Sequence, residues 1–200
     1  MNNYLLGFTY SILFLFILLL LECLTRKNNY NKETTRKIAH ILSGLFGAII
    51  GVVLEQAVFI TIALIFLLII SVSYGLKFFS SIHDVKRKTY GEILLPLGIL
   101  LAYMISNGSM VNYITSVLIL TVSDPLSGII GRMSKRKSYY GSVSFFVSAL
   151  IILLIIFNFQ KLILLIFIAL TITIVENISS YGTDNATIPL TTSILLKLLL

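Results

Sequence analysis

Charge is scarce in this sequence. Charged residues make up 12% of its 200 positions, about half the share of roughly 25% found in soluble domains. Tryptophan is absent, and there are only three prolines and one cysteine. The lone Cys23 excludes an internal disulfide. A soluble helical protein needs a polar outer face, and a chain that is 58% hydrophobic does not supply one. Acidic residues are also few, eight against fifteen basic, which leaves a net charge of +7. Such a balance can mark a nucleic-acid binder. Here the basic residues fall between apolar runs, so we expect no nucleic-acid partner. Ten tyrosines remain to serve as interfacial anchors.

What the chain does have is a series of apolar runs near the length of about 20 residues that crosses a bilayer. They cover residues 4–21, 38–54, 57–76, 93–106, 111–131, 142–157, 162–175 and 187–200. The fourth is short and contains Pro96; the last is short and carries Lys197. The first has no basic segment before it and no small-residue cleavage site after it, and it is too long for a signal peptide. We read it as a transmembrane helix. The expected fold is all-α: a polytopic integral membrane helical bundle with 7–8 transmembrane helices, forming one membrane-embedded domain over residues 1–200.

Thirteen of the fifteen basic residues lie on alternate connections: Arg26 to Lys37, Lys77 to Lys88, and Arg132 to Lys137. The positive-inside rule puts those connections in the cytoplasm and the N-terminus outside. With eight spans, residues 176–186 are cytoplasmic too, yet they hold Glu176 and Asp184 and no base. A solvated loop is one reading. Carboxylates that bind a metal or pair with the basic segments are the other.

Asp124 carries the strongest local signal. It lies about seven residues, or roughly 10 Å, from the expected end of its helix. A carboxylate at that depth is costly without a partner and marks a functional site by default. Gly128 and Gly131 share its helical face. They allow close approach of a ligand or of another backbone. Arg36, Lys37 and His40 open the second span, and Gly44, Gly47 and Gly51 continue it as a packing seam. Gly91 and Glu92 open the fourth span, where a carboxylate suits the helix dipole on its own account. Lys137, Ser138, Gly141 and Ser142 lead into the sixth. A lysine, hydroxyls and a glycine before a helix suit an anion, or simply lipid headgroups. The Walker pattern is absent. His83 and Asp84 lack metal-site spacing and read as solvated.

The eight-span topology gathers these segments. The second, fourth, sixth and eighth helices all start on the cytoplasmic side, and helix starts carry unpaired N–H groups and positive dipole ends. A nucleoside triphosphate with a divalent cation fits such a site, with Lys and Arg on phosphate and carboxylates on Mg²⁺.

Five segments together resemble the membrane-embedded polyprenol kinases: dolichol kinase, phytol and farnesol kinase, and the CTP-dependent diacylglycerol kinase of fungi. They are Arg36-Lys-Ile-Ala-His40 with Gly44, and Thr89-Tyr-Gly-Glu-Ile-Leu-Leu-Pro96. Ser123-Asp-Pro-Leu-Ser-Gly-Ile-Ile-Gly-Arg132 and Lys137-Ser-Tyr-Tyr-Gly-Ser142 follow. The last runs from Glu176 through Asp184 and Asn185 to Pro189. They occur in the family's order over roughly residues 34–190. The resemblance implies phosphoryl transfer from CTP or ATP to the hydroxyl of an isoprenoid alcohol or diacylglycerol. It implies that Arg36, Lys37, Asp124, Gly128, Gly131, Lys137, Gly141 and Ser142 serve the nucleotide, with Arg132 and Ser138 beside them. Glu176, Asp184 and Asn185 match the late acidic motif, and Glu92 stands in support. The short connection from Arg132 to Lys137 departs from the family's pattern, in which many members have a longer loop.

The expectation is therefore a lipid-alcohol kinase in the bilayer. Its partners are a nucleoside triphosphate and a membrane lipid alcohol, and its cofactor is Mg²⁺ or another divalent cation. Asp124, with Glu176 or Asp184, holds the metal. Asp124 or Asp184 orients the hydroxyl and takes its proton, with His40 as the next candidate base. The resemblance shades into phosphatidate cytidylyltransferases, the first alternative. The second is a non-enzymatic membrane protein or transporter, which leaves the one-sided polarity unexplained.

Overall fold

A computed structural model describes residues 3–76, 78, 89–133 and 137–200, with side chains described outside 132–138. His83 and Asp84 lie outside the described residues, as do the side chains of Arg132, Lys137 and Ser138. Every regular element among the described residues is helical: α1 (Asn3–Asn28), α2 (Lys32–Val53), α3 (Gln56–Leu76), α4 (Gly91–Ser106), α5 (Met110–Leu118), a π-helical turn (Ile119–Ser123), α6 (Asp124–Met133), α7 (Lys137–Ile156), α8 (Leu162–Ile178) and α9 (Asp184–Leu199). From α5 through the π turn to α6 the chain is one rod. The eight rods coincide with the eight apolar runs. Five helices are long and apolar enough to cross a membrane, and α4 and α8 are shorter apolar helices. This is a helical bundle of the multi-pass membrane type.

Several helices run past their apolar cores. The first extends seven residues beyond Leu21 because Glu22 and Arg26 form an ion pair one turn apart, at 2.6 Å. It ends where Asn29 adopts a left-handed conformation and the Tyr30 amide reaches back to Thr25 at 3.1 Å, a helix stop that asparagine tolerates. Asn31 then caps α2 by accepting from the Glu33 amide. The basic residues expected in a loop therefore sit on helix ends. Arg36, Lys37 and His40 lie beyond the first turn of α2 rather than at its opening.

Two further boundaries correct the sequence reading. Lys137 is the first residue of α7, so the Lys137–Ser142 segment is helix and not the approach to it. Glu176 belongs to α8, which continues to Ile178, and Asp184 begins α9. The acidic loop is thus a turn over residues 179–183, flanked by helix-borne carboxylates.

Glycines set the helix crossings, as expected where dispersion rather than the hydrophobic effect drives association. The seam on α2 forms as read: Gly44 meets Thr121, Gly47 meets Ile99, and Gly51 meets the Tyr113 ring. Tyr113 donates from its hydroxyl to the Gly47 carbonyl at 2.6 Å. The helices α4 and α9 pack closely because a Cβ on Gly98 would overlap the Asn185 carbonyl oxygen. The core is built around buried Phe145, Leu165, Ile168, Ile172, Ile188 and Leu196, and buried hydroxyls such as Ser193 and Ser116 bond to each other at 2.9 Å within it. Outward faces remain apolar as well, with Ile12, Phe16, Leu68 and Ile155 exposed, which suits a lipid environment and not water.

Candidate functional site

The local chemistry of Asp124 begins with Pro125. Proline has no N–H, so the carbonyls one helical turn earlier lose a donor. The chain answers with the π turn over Ile119–Ser123, a distortion common at functional sites. His40 exploits it: its Nε2 donates to the Leu120 carbonyl at 3.3 Å and lies 3.9 Å from Asp124 Oδ2. The imidazole is held largely out of solvent between α2 and the rod that carries Asp124. With α6 running to Met133, Asp124 lies about 13 Å from the helix end by rise per residue, slightly deeper than the sequence suggested.

Lys37 reaches the same rod one turn further on. Its ammonium donates to the Pro125 carbonyl at 3.2 Å. A Cβ on Gly128 would come within 2.9 Å of that Nζ, so the glycine makes room for the lysine. Gly131 and Gly141 have a different immediate task. A Cβ on Gly141 would lie 3.3 Å from the Ser127 carbonyl and 3.6 Å from the Gly131 Cα. These two let α6 and α7 cross closely, and they reach the site through that crossing.

Ser127 ties α6 to α8. Its hydroxyl lies 2.9 Å from the Asp124 carbonyl and 3.2 Å from Glu176 Oε1. Ser142 on α7 donates to Asn177 Oδ1 on α8 at 2.6 Å. The turn after α8 is pinned to α4: the Tyr90 amide donates to the Tyr181 carbonyl at 2.8 Å, and Asn185 Nδ2 donates to the Gly91 carbonyl at 2.8 Å. Gly182, with φ of +86°, fits only because it has no Cβ to strike Gly91 and Thr89.

The result is a polar cleft of about 390 Å³ at one end of the bundle. It brings together Arg36, Lys37, His40, Asp124, Gly128, Gly131, Gly141, Ser142, Glu176, Asp184 and Asn185, residues that span nearly 150 positions of sequence. Glu92 is not among them. It lies instead in an apolar groove between α1, α2, α3 and α4, a groove that shares Arg36, His40 and Asn185 with the cleft. Sequence reasoning missed Pro125, Ser127, Asn177, Ser179, Ser180, Tyr181 and Gly182 in the cleft wall. Ser127 was detectable, since it follows Asp124 by one helical turn. The turn residues were not, because their place depends on the long-range bonds to α4.

Three carboxylates, Asp124, Glu176 and Asp184, line the cleft, and Asp124 and Asp184 lie close enough to repel a charge on Glu176. Among the described residues no group of three or more His, Cys, Asp or Glu forms a ready metal cage. Mg²⁺ does not need one: it keeps waters and is commonly held by one or two carboxylates plus substrate phosphates. The donor set therefore fits Mg²⁺ in that manner. On the cationic side, Arg36 is braced by Glu33 at 2.9 Å.

No family model matches the chain, and no solved structure matches it. A phytol kinase from Synechocystis sp. is 26% identical over 204 aligned positions, which cover 87% of this chain and 82% of that protein. The resemblance to the polyprenol kinases, first carried by five short segments, thus extends along most of the chain.

Proposed function

We propose that the chain is a lipid-alcohol kinase that transfers the γ-phosphoryl group of CTP or ATP to the hydroxyl of an isoprenoid alcohol. The observation that carries this reading is the junction of two cavities of opposite character. A cleft rich in cations and carboxylates meets an apolar groove at Arg36, His40 and Asn185. Such a junction suits a water-soluble polyphosphate on one side and a lipid on the other. Similarity to a phytol kinase over most of the chain points the same way.

In this reading Arg36 and Lys37 hold phosphate oxygens, joined by Arg132 and Lys137 from α6 and α7, and they offset the charge that builds on the departing diphosphate. Asp124, with Glu176 or Asp184, would hold Mg²⁺, which supplies further charge neutralisation on the phosphates when bound. The alcohol oxygen attacks the γ-phosphorus, the bond to the β-phosphate oxygen breaks, and the nucleoside diphosphate leaves. The hydroxyl proton passes to a carboxylate, Asp124 or Asp184. His40, 3.9 Å from Asp124 Oδ2, is the next candidate for that role. The cleft faces the cytoplasm, because the basic residues of α1, α2, α6 and α7 gather at its end of the bundle.

The direct test supplies purified protein in lipid nanodiscs with γ-labelled CTP or ATP and phytol, farnesol, geranylgeraniol, dolichol or diacylglycerol. Labelled lipid monophosphate with release of nucleoside diphosphate is expected. Failure of every pair sinks the proposal. Release of pyrophosphate with phosphatidate as acceptor would replace it by a cytidylyltransferase.

A further inference from the structure

The apolar groove has a direction and an end. Along α2 its wall runs from Arg36 through His40, Ser43 and Gly47 to Ile50. Fourteen residues at 1.5 Å each give about 21 Å, against a hydrocarbon core of about 30 Å. The groove therefore stops part-way across the bilayer. Its far end is lined by buried Ile50, Phe59 and Ile99. Phe59 cannot easily swing away, because its ring lies 4.2 Å from that of Tyr103 and 5.9 Å from that of Tyr113. Tyr113 is in turn fixed to the α2 backbone at Gly47.

The near end carries polar atoms with unmet demand. Asn185 is 4% exposed, its amide nitrogen is committed to Gly91, and its Oδ1 has no hydrogen-bond partner among the described residues. Arg36 Nε is likewise buried without one. The residues that carry this orphan acceptor and this orphan donor both line the junction of groove and cleft. A hydroxyl answers both: it donates to Asn185 Oδ1 and accepts from Arg36 Nε. A carboxylate or a phosphate dianion has no proton for Asn185, and either would meet the Glu92 carboxylate, which also lines this groove.

We propose that the groove is the channel for the acceptor's single hydrocarbon chain and acts as a ruler. The hydroxyl docks at Asn185 and Arg36, the chain lies along α2, and Phe59 sets its maximum length. This rests on the kinase reading and deepens it. The channel suits a mid-length prenyl alcohol and disfavours both a dolichol-length chain and two-chained diacylglycerol.

The experiment compares geraniol, farnesol, geranylgeraniol and dolichol as acceptors at saturating nucleotide. Ala63 lines the groove one turn from Phe59, and Ala63→Phe should shorten the channel. It is expected to raise KM for geranylgeraniol relative to geraniol by about tenfold or more, the scale set by one or two misplaced carbons in a fitted apolar pocket. Phe59→Ala should shift preference toward longer chains. An unchanged chain-length profile in both variants overturns the ruler while leaving the kinase intact. A second readout needs neither activity nor a folded variant: photolysis of a tail-diazirine prenyl alcohol bound to the wild-type protein. Adducts at Phe14, Phe46, Ile62 or Phe66 support the channel even if no alcohol is phosphorylated. Adducts confined to the outer lipid-facing surfaces overturn it.

Discussion

The ammonium of Lys37 sits over Gly128, donating to the carbonyl of Pro125 at 3.2 Å from a helix 88 residues away in sequence. A side chain at position 128 would contest that space. The atom it would meet is the tip of a flexible lysine, so the fold can yield where the site cannot.

Gly128→Ala should therefore separate stability from binding. Replacing glycine by alanine inside a helix favours folding by up to about 1 kcal/mol, so the melting temperature should hold or rise. Displacing a charged hydrogen-bond donor costs on the order of 1.5–3 kcal/mol, which is roughly a tenfold or greater loss of nucleotide affinity. Thermal unfolding in detergent and titration with nucleotide check the two halves. A fall in stability with affinity unchanged would place Gly128 in packing alone.

Asp124→Asn keeps the shape of the side chain and removes its charge. If Asp124 anchors the cation on the phosphates, turnover should fall by about 10² to 10³, the scale for loss of one electrostatic contact to a transition state. Divalent-dependent nucleotide binding should fall with it. The bundle should persist, since the Ser127 bond to the Asp124 carbonyl does not depend on the side-chain charge. Full turnover in this variant would move the metal role to Glu176 and Asp184.

Two glycines offer a stability contrast. Gly98 faces the Asn185 backbone at the α4–α9 crossing, whereas a Cβ on Gly75 near the end of α3 would meet nothing within 4 Å among the described residues. Overpacking against backbone typically costs about 1–3 kcal/mol. Gly98→Ala should lower the melting temperature and, by pushing α9 and its Asp184 and Asn185 outward, reduce activity as well. Gly75→Ala should leave activity unchanged and the melting temperature equal or slightly raised. Equal behaviour of the pair in parallel melts and assays would refute the crossing geometry.

The bundle was legible because apolar runs and charge alternation are local signals. Eight runs became eight rods. The ends were less so: a run marks where lipid is, but Glu22 with Arg26 and the Asn31 cap decide where the helix stops. Likewise Asp124, Lys37 and the glycines stood out as residue types in unusual places. What sequence could not convey was division of labour among similar signals. Gly128 yields space to Lys37, while Gly131 and Gly141 hold two helices together. Glu92, which opens its helix like a site carboxylate, ends up in the apolar groove. These outcomes depend on which helix crosses which, and that is set by contacts distant in the chain.

The side of the membrane that the cleft faces is open to a direct chemical test. Cys23 is the sole cysteine, so Cys23→Ser gives a clean background. Ser180 is exposed in the turn beside the cleft, and Gln56 is exposed at the start of α3. Because α2 separates the cleft from the Gln56 end, the two positions lie at opposite ends of the bundle. Positive-inside reasoning predicts that a cysteine at 180 reacts with a membrane-impermeant maleimide only in inverted vesicles. A cysteine at 56 should react only in right-side-out ones. The reverse pattern would place the cleft outside the cytoplasm, away from nucleotide, and would count against the kinase reading more heavily than the loss of any single site residue.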